Sequence, residues 1–225
     1  REREFWQLNV DMFGANTVAA DAEVLQLADT LLRRFGADES MYTIRVNNRT
    51  LINFVMTTYL ELDETTSKQM VKLLDRKNKL PVDVFTMQAA ELLQSTDKQA
   101  RLDLILSAKT IADLPQQIID SKEITEIREL FSILETLGIT AAVFDITLMR
   151  GLDYYTGTVF EVFDTDSENN RSLFGGGRYD GLVGMFGVEQ VSAVGFAPGL
   201  TTTELFLRSH NLLPEVRPLV DVYLV

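Results

Sequence analysis

The sequence predicts an α+β fold: a mixed sheet, flanked by helices, that is interrupted by an all-helical insert. Apolar residues alternate in strand fashion near both ends of the chain, whereas residues 61–140 carry them at the helical spacing of three and four. We therefore expect one core built from residues 1–60 and 141–213, with 61–140 as a helical domain inserted between them. Residues 214–225 are expected to be a proline-marked linker and the first strand of a further domain.

The elements of the first part follow from the same patterns. Residues 8–13 predict a strand that stops at Gly14, and residues 42–46 predict a second strand. Asp21 is placed to cap the helix between these strands, and residues 51–59 predict a further helix.

The second half begins with the clearest helical spacing, in residues 124–137, where Gly138 is expected to end the helix in a left-handed conformation. Strands return at 158–163 and 190–196. A short helix is expected at 201–209.

The charge balance limits the partners. The chain has 21 lysines and arginines against 33 aspartates and glutamates, a formal net charge of −12. Because indiscriminate nucleic-acid binding needs a broadly basic surface, we expect no DNA partner, and any RNA contact must be local. The charge run at residues 72–79 is expected to be a solvated helix face.

The residue inventory excludes several kinds of chemistry. The chain contains no cysteine and one histidine, so disulfides, thiol nucleophiles and histidine-rich metal sites are not expected. His210 lies between polar neighbours and is expected to be a solvated surface residue. No apolar run approaches the roughly 20 residues of a membrane helix, and no signal peptide is seen, which favours a cytoplasmic protein. A first residue other than methionine indicates a fragment or a processed product.

Residues 150–157, RGLDYYTG, combine groups suited to binding an anionic ligand. The Arg150 guanidinium can form two hydrogen bonds to a phosphate or carboxylate. In an extended chain Tyr154 and Tyr155 point to opposite faces, so that one can line a pocket while the other packs. The alternative is structural, since such tyrosines are common core residues and such an arginine commonly forms a surface ion pair.

Two further stretches carry distinctive patterns. Three consecutive glycines, Gly175, Gly176 and Gly177, indicate a close approach of the backbone to a ligand or strand, or else a bulge at a sheet edge. In a strand Gln7 and Asp11 share one face, and an amide beside a carboxylate suits an ammonium group. A solvated edge strand is the alternative for this pair.

Three segments together resemble the signature segments of histidyl-tRNA synthetases, in the same order: 1–14 (REREFWQLNVDMFG), 150–161 (RGLDYYTGTVFE) and 173–184 (LFGGGRYDGLVG). The resemblance covers nearly the whole chain, including the helical insert. It implies the mixed, mainly antiparallel sheet of a class II aminoacyl-tRNA synthetase and a homodimer. It also implies L-histidine, ATP with Mg²⁺ and tRNA(His) as substrates and partners, and an anticodon-binding domain beginning in 214–225.

For the site, the resemblance implies that Gln7 and Asp11 hold the α-amino group of histidine. It also implies that Arg150 acts in catalysis by contacting the substrate carboxylate and the α-phosphate of ATP. The other implied residues are two tyrosines of the imidazole pocket, three glycines of its floor and an arginine near the ATP phosphates: Tyr154, Tyr155, Gly175, Gly176, Gly177 and Arg1.

One departure from the family pattern leaves two functions open. The family's third class II motif usually ends Gly-Leu-Glu-Arg-Leu and its arginine binds ATP, whereas Gly199 and Leu200 are followed here by three threonines. The first hypothesis is a histidine–tRNA ligase. The second is a catalytically inactive paralogue, such as the regulatory subunit of ATP phosphoribosyltransferase. The intact segment 150–157 favours the ligase, and Thr202 favours the paralogue or a divergent subgroup of ligases.

Overall fold

A six-stranded sheet forms the centre of the molecule, with its strands in the order β1-β6-β5-β4-β2-β3. The computed structural model describes residues 4–149, 154–166, 169 and 171–214. Neighbouring strands are antiparallel except β2 and β3, which are parallel, so the predicted mixed and mainly antiparallel sheet is confirmed. The strands are Val10–Phe13 (β1), Tyr42–Asn48 (β2), Ala142–Phe144 (β3), Thr158–Asp164 (β4), Ser172–Arg178 (β5) and Ala193–Phe196 (β6).

Helices flank the sheet and form the long connection between β2 and β3. The α-helices of the described residues are Val18–Arg34 (α1), Arg49–Phe54 (α2), Glu64–Asp75 (α3), Val82–Leu93 (α4), Thr96–Ser107 (α5), Gln116–Ile119 (α6), Thr125–Thr136 (α7) and Leu200–Ser209 (α8). Short 3₁₀ turns occur at Lys77–Lys79, Ile111–Asp113, Lys122–Ile124 and Val183–Phe186. A π-helical turn, Val55–Tyr59, continues α2. No helix in the described ranges is long and apolar enough to span a bilayer.

The main core lies between one face of the sheet and helices α1, α7 and α8. Ile44 of β2 and Phe160 of β4 are fully buried on this face. Leu25 and Leu32 of α1 and Phe206 of α8 pack in the same cluster. Removing this apolar surface from water is the dominant favourable contribution to folding, and it fixes which face of the sheet remains available for a site.

A second apolar cluster holds the helical connection together. Met70 of α3 and Leu102 of α5 are buried in it, together with Leu51 of α2 and Phe144 of β3. The cluster therefore includes residues on both sides of the span 61–140. The boundaries of the inserted helical domain stay a prediction.

Most predicted elements agree with the structure. Strands occupy the predicted stretches near both ends of the chain, and α7 is followed by Gly138 with a φ of +70°. Three elements differ from the expectation. The strand expected over 8–13 begins only at Val10. The strand expected from residue 190 begins only at Ala193, and the helix expected over 51–59 changes at Val55 into the π-helical turn.

Asp21 is not the cap of α1, and that prediction is wrong. The helix begins at Val18, and the Thr17 hydroxyl accepts the Ala20 N–H at 3.2 Å as the cap. Asp21 lies inside the first turn and is buried. Its carboxylate accepts hydrogen bonds from Arg178 Nε at 2.9 Å and Nη2 at 2.5 Å.

The Arg178 side chain is the centre of a buried polar network. It donates to Ala15 O at 2.9 Å and to Ser192 Oγ at 2.6 Å, and its Nη1 lies 3.2 Å from Asp180 Oδ1. Burial alone would lower the pKa of Arg178, but the hydrogen bonds and charges of Asp21 and Asp180 raise it. For Asp21 the effect of burial is larger than that of the hydrogen bonds from Arg178, so the pKa of this carboxyl is raised. The network joins the start of α1 to the end of β5.

His210 is not a solvated surface residue, and that prediction is also wrong. Its Nε2 lies 2.7 Å from Asp164 Oδ1, and its ring packs on Phe206 with centroids 4.7 Å apart. Burial alone would raise the pKa of Asp164, but hydrogen bonds from the Asp166 N–H, His210 and Asn169 hold it below its ordinary value. The imidazole therefore ties the end of α8 to the end of β4.

Loss of the buried ion pair is expected to destabilise the fold strongly. Asp21→Ala leaves the buried guanidinium without its main partner, and breaking such a pair costs about 3–5 kcal/mol. The matched control is Glu204→Ala, which removes the exposed pair between Glu204 and Arg208 and should cost under about 1 kcal/mol. Urea unfolding at neutral pH measures both changes. Equal losses of unfolding free energy in the two variants would contradict a large contribution of the Arg178 network to stability.

Candidate active site

A cavity of about 740 Å³ lies on the sheet face opposite α1, beside β1, β6 and β5; we call it the cleft cavity. Its size is within the range of pockets that bind small molecules. The residues that line it are Gln7, Asn9, Asp11, Phe13, Tyr154, Tyr155, Ser172, Leu173, Phe174, Gly175, Tyr179, Leu182, Val183, Phe186, Gly195, Phe196 and Ala197.

The polar edge of the cleft cavity comes from the stretch that leads into β1. Gln7, Asn9 and Asp11 all line the cavity, whereas Val10 and Met12 pack against the main core. This alternation is the period of two expected for a strand, and it places the amide and the carboxylate on the same face. The backbone of Gln7 is held by an isolated antiparallel β-bridge to Gly199, just before α8.

An aromatic wall faces this polar edge. The rings of Tyr154 and Tyr155 lie 4.6 Å apart between centroids, and Tyr179 meets Tyr154 edge-on at 6.1 Å. All three line the cavity, so the two adjacent tyrosines do not point to opposite faces as they would in an extended chain. Tyr155 also packs in a small buried cluster with Val159. The chain before β4 is turned, not extended, and this brings both rings to one side.

Tyr179 is a site residue that the sequence reasoning missed. Its phenol donates a short hydrogen bond to Asp11 Oδ1 across the cavity wall. Burial and the neighbouring Asp11 carboxylate both raise the pKa of Tyr179. In the sequence Tyr179 is marked only by its place two residues after Gly177, because its partner lies 168 residues away. The bond holds the Asp11 carboxylate at the cleft cavity.

The electrostatics of the cavity favour a cationic group. Among its described lining residues, Asp11 is the one charged side chain. A carboxylate held by a phenol, beside the Gln7 amide and three aromatic rings, can bind an ammonium or an imidazole. None of the described lining residues is a cation.

The three consecutive glycines do different things. Gly175 lines the cavity, whereas Gly176 and Gly177 are buried in β5 and are not part of the lining. A Cβ on Gly177 would lie 2.8 Å from the Tyr155 ring and 2.5 Å from Thr158 O. A Cβ on Gly176 would collide with the main-chain oxygen of Gly195 on β6. These glycines therefore let strand and ring pack closely behind the wall.

Three expectations concern residues at the margin of the site. Thr202, at the position where the family pattern has an arginine, has its hydroxyl 2.7 Å from Leu173 O and 3.1 Å from Gly199 O. Arg1 and Arg150 lie outside the described residues. The described ranges contain no group of three or more His, Asp or Glu side chains placed to hold a metal ion.

The fold is that of known class II structures. The mixed, mainly antiparallel sheet with its flanking helices is similar to the fold of a histidyl-tRNA synthetase from Nostoc sp. PCC 7120. That match has a TM-score of 0.80 at 24% identity, over 94% of this chain and 52% of that chain. A second structure is described as an ATP phosphoribosyltransferase regulatory subunit/histidyl-tRNA synthetase from Bacillus halodurans. It matches with a TM-score of 0.77 at 27% identity, over 92% of this chain and 53% of that chain.

Sequence comparisons give the family. Residues 1–202 match the family described as histidyl-tRNA synthetase. The chain is 38% identical to the histidine–tRNA ligase of Leptospira biflexa, over 96% of this chain and 50% of that protein. It is 33% identical to that of Haloquadratum walsbyi, over 100% of this chain and 53% of that protein. The chain thus belongs to the histidyl-tRNA synthetase family, and it spans about half the length of these relatives.

A side chain at Gly176 is expected to disrupt the sheet behind the cavity. Gly176→Ala places a methyl group against the backbone of β6, and overpacking of this kind costs about 1–3 kcal/mol. The matched control is Gly181→Ala, where a Cβ meets nothing within 4 Å and the change should stay within about 0.5 kcal/mol. Chemical denaturation of the two variants measures the difference, and equal stability would refute the close approach of β5 and β6.

Proposed function

We propose that the protein containing this chain is a histidine–tRNA ligase that acts in translation. The carboxylate of L-histidine attacks the α-phosphate of ATP, so that histidyl-adenylate forms and pyrophosphate leaves. The histidyl group then passes to the 3′-terminal ribose of tRNA(His), and AMP leaves. The proposal includes a cytoplasmic location and a homodimer.

The observation that carries this proposal is the convergence of the implied histidine-binding residues on one cavity. Gln7 and Asp11 come from the start of the chain, and Tyr154 and Tyr155 from a segment more than a hundred residues later. In the proposal the amide and carboxylate hold the α-amino group, and the tyrosines surround the imidazole. Gly175 forms part of the floor, while Gly176 and Gly177 support it from behind.

The adenylation step needs positive charge, because it brings a carboxylate and a phosphate together. The described wall of the cavity carries only the negative charge of Asp11. Arg150 lies four residues before Tyr154, which lines the cavity, in the segment on which the family resemblance rests. We assign Arg150 the catalytic role of stabilising charge on the phosphate oxygens during the attack. Arg1 is assigned to the ATP phosphates, and Mg²⁺ enters the proposal as the counter-ion of ATP.

A second candidate is a catalytically inactive paralogue that binds histidine, of the kind named in the Bacillus halodurans structure. The observation that favours it is Thr202, whose hydroxyl lies by backbone oxygens where the family pattern has an ATP-binding arginine. Both candidates use the same histidine pocket. They differ in whether binding leads to adenylation.

The experiment that separates the candidates is histidine-dependent exchange of pyrophosphate into ATP by the complete protein. The ligase gives exchange, and the paralogue gives histidine binding without it. Arg150→Ala is expected to lower the single-turnover rate of adenylation by about 10²–10³-fold, the usual loss for one electrostatic donor to a transition state. Arg150→Lys should restore the rate only in part, because an ammonium cannot bond two oxygens as a guanidinium does. An unchanged rate in Arg150→Ala would refute this role.

The Tyr179 phenol is expected to contribute to histidine binding through Asp11. Tyr179→Phe removes one hydrogen bond to the carboxylate, which corresponds to a loss of affinity of about three- to tenfold. Titration calorimetry with L-histidine measures the change in the complete protein.

The control for this experiment is Tyr42→Phe, which removes a buried phenol–carboxylate bond of 2.5 Å to Asp29 in the main core, away from the cavity. Both variants are expected to lose some stability, but only Tyr179→Phe should lose affinity. Equal affinities in the two variants would contradict the positioning of Asp11 by Tyr179.

A further inference from the structure

A second cavity of about 740 Å³ lies beside α3 and is lined by several cations; we call it the α3 cavity. Its lining residues are Arg49, Asn53, Met56, Thr57, Glu64, Ser67, Lys68, Val71, Lys72, Asp75, Arg76 and Met149. None of them lines the cleft cavity, and the proposed histidine site uses none of them.

The cations beside α3 are concentrated in a chain that is otherwise strongly acidic. Five of the 21 lysines and arginines lie between Lys68 and Lys79, with Asp75 as the one carboxylate among them. Lys68, Lys72 and Arg76 follow each other at intervals of four residues and so lie along one side of the helix, about 6 Å apart along its axis. This is the kind of local basic surface that a protein with a net charge of −12 needs for contact with a polyanion.

Lys72 and Arg76 are the members of this row with charge available to a ligand. Lys68 forms an exposed ion pair of 2.6 Å with Glu64. In the described part of the chain the exposed side chains of Lys72 and Arg76 form no ion pair. Cations near a helix C-terminus are favoured by the helix dipole alone, so a solvated helix end is the simpler explanation that a test must exclude.

The shape of the α3 cavity favours a binding site over a solvated helix end. The cations line a cavity whose lining also includes the apolar side chains of Met56, Val71 and Met149. The π-helical turn Val55–Tyr59 supplies Met56 and Thr57 to this surface. Single π-helical turns inside helices are rare and are often found at functional sites.

The α3 cavity and the cleft cavity are lined by residues that are close in sequence. Met149 lines the α3 cavity, and Tyr154 and Tyr155, five and six residues later, line the cleft cavity. The main-chain N–H of Arg49, another residue of the α3 cavity, donates to Gly157 O at 2.8 Å, two residues after Tyr155. This bond links the start of α2, at the α3 cavity, to the stretch that carries the two tyrosines.

We infer that the α3 cavity binds phosphate groups of an RNA strand whose 3′ end reaches the cleft cavity. This inference rests on the proposed ligase function, in which an RNA 3′ end must come to the histidyl-adenylate. Lysine and arginine side chains bind phosphates without reading sequence, and such contacts fix the position and direction of the nucleic acid. Lys72 and Arg76 provide the charge, and the apolar side chains give sugars or bases a surface to pack on.

The test is a charge reversal in the complete protein, Lys72→Glu with Arg76→Glu, with an unmodified transcript of tRNA(His) as the probe. Fluorescence anisotropy at several salt concentrations should show at least about tenfold weaker binding. The slope of log K against log salt should fall by about 2, because two phosphates are no longer neutralised by the protein. The matched control is Lys109→Glu with Lys122→Glu, two exposed lysines outside the α3 cavity, which gives the same net charge and should leave the RNA affinity unchanged.

Three outcomes overturn the inference. An equal fall in RNA affinity in the control pair shows a general charge effect, and an unchanged affinity in both pairs shows a solvated helix face only. A tenfold rise in KM for ATP in pyrophosphate exchange, with RNA affinity unaltered, assigns the cavity to nucleotide phosphates instead.

A second pair of substitutions, Lys72→Gln with Arg76→Gln, controls for misfolding of the charge-reversed variant. Its fold is checked by thermal unfolding, and it should weaken RNA binding to an intermediate degree. RNA binding needs no adenylation, so failure of the ligase proposal and failure of this inference are distinguishable.

Discussion

The buried contact between Arg178 and Asp21 is the constraint on which the arrangement of the site depends. The guanidinium at the end of β5 is surrounded by oxygens from the start of α1 and from Asp180 and Ser192. Because Tyr179 is the next residue, the direction in which Arg178 is held also directs the Tyr179 phenol to Asp11 on β1. A charge pair that faces the protein interior thus sets the geometry of a carboxylate that lines the cleft cavity.

Local patterns in the sequence were sufficient to predict the secondary-structure elements but not the contacts between them. Alternation identified β2 and β4, and apolar spacing identified α7, since these features depend on neighbours along the chain. The capping role expected for Asp21 failed because Thr17 offers the same capping chemistry four residues earlier, while the real partner of Asp21 is 157 residues away. His210 has polar neighbours in sequence, yet its partner Asp164 comes from another strand.

The candidate site was predictable to the extent that it follows strand geometry. Gln7 and Asp11 share a face because side chains alternate, and the structure places both at the cleft cavity. The same rule failed for Tyr154 and Tyr155, since the chain turns there and both rings come to one side. Tyr179 could not be chosen from spacing alone, because its role depends on a bond across the sheet. The roles of Arg1 and Arg150 rest on the family resemblance.

The parallel pairing of β2 with β3 has a consequence for how this architecture can diverge. The chain leaves the sheet after Asn48, at one end of this parallel pair, and returns at Ala142, which pairs with Ile44 at the other end, so the helical connection crosses from one end of the pair to the other. The entropy of closing such a connection grows only slowly with its length. The register of the sheet therefore does not depend on the number of residues in the helical connection, provided that an apolar surface of this connection still covers Phe144. During evolution the helical connection can become longer or shorter, or be replaced, while the sheet that carries the cleft cavity changes separately.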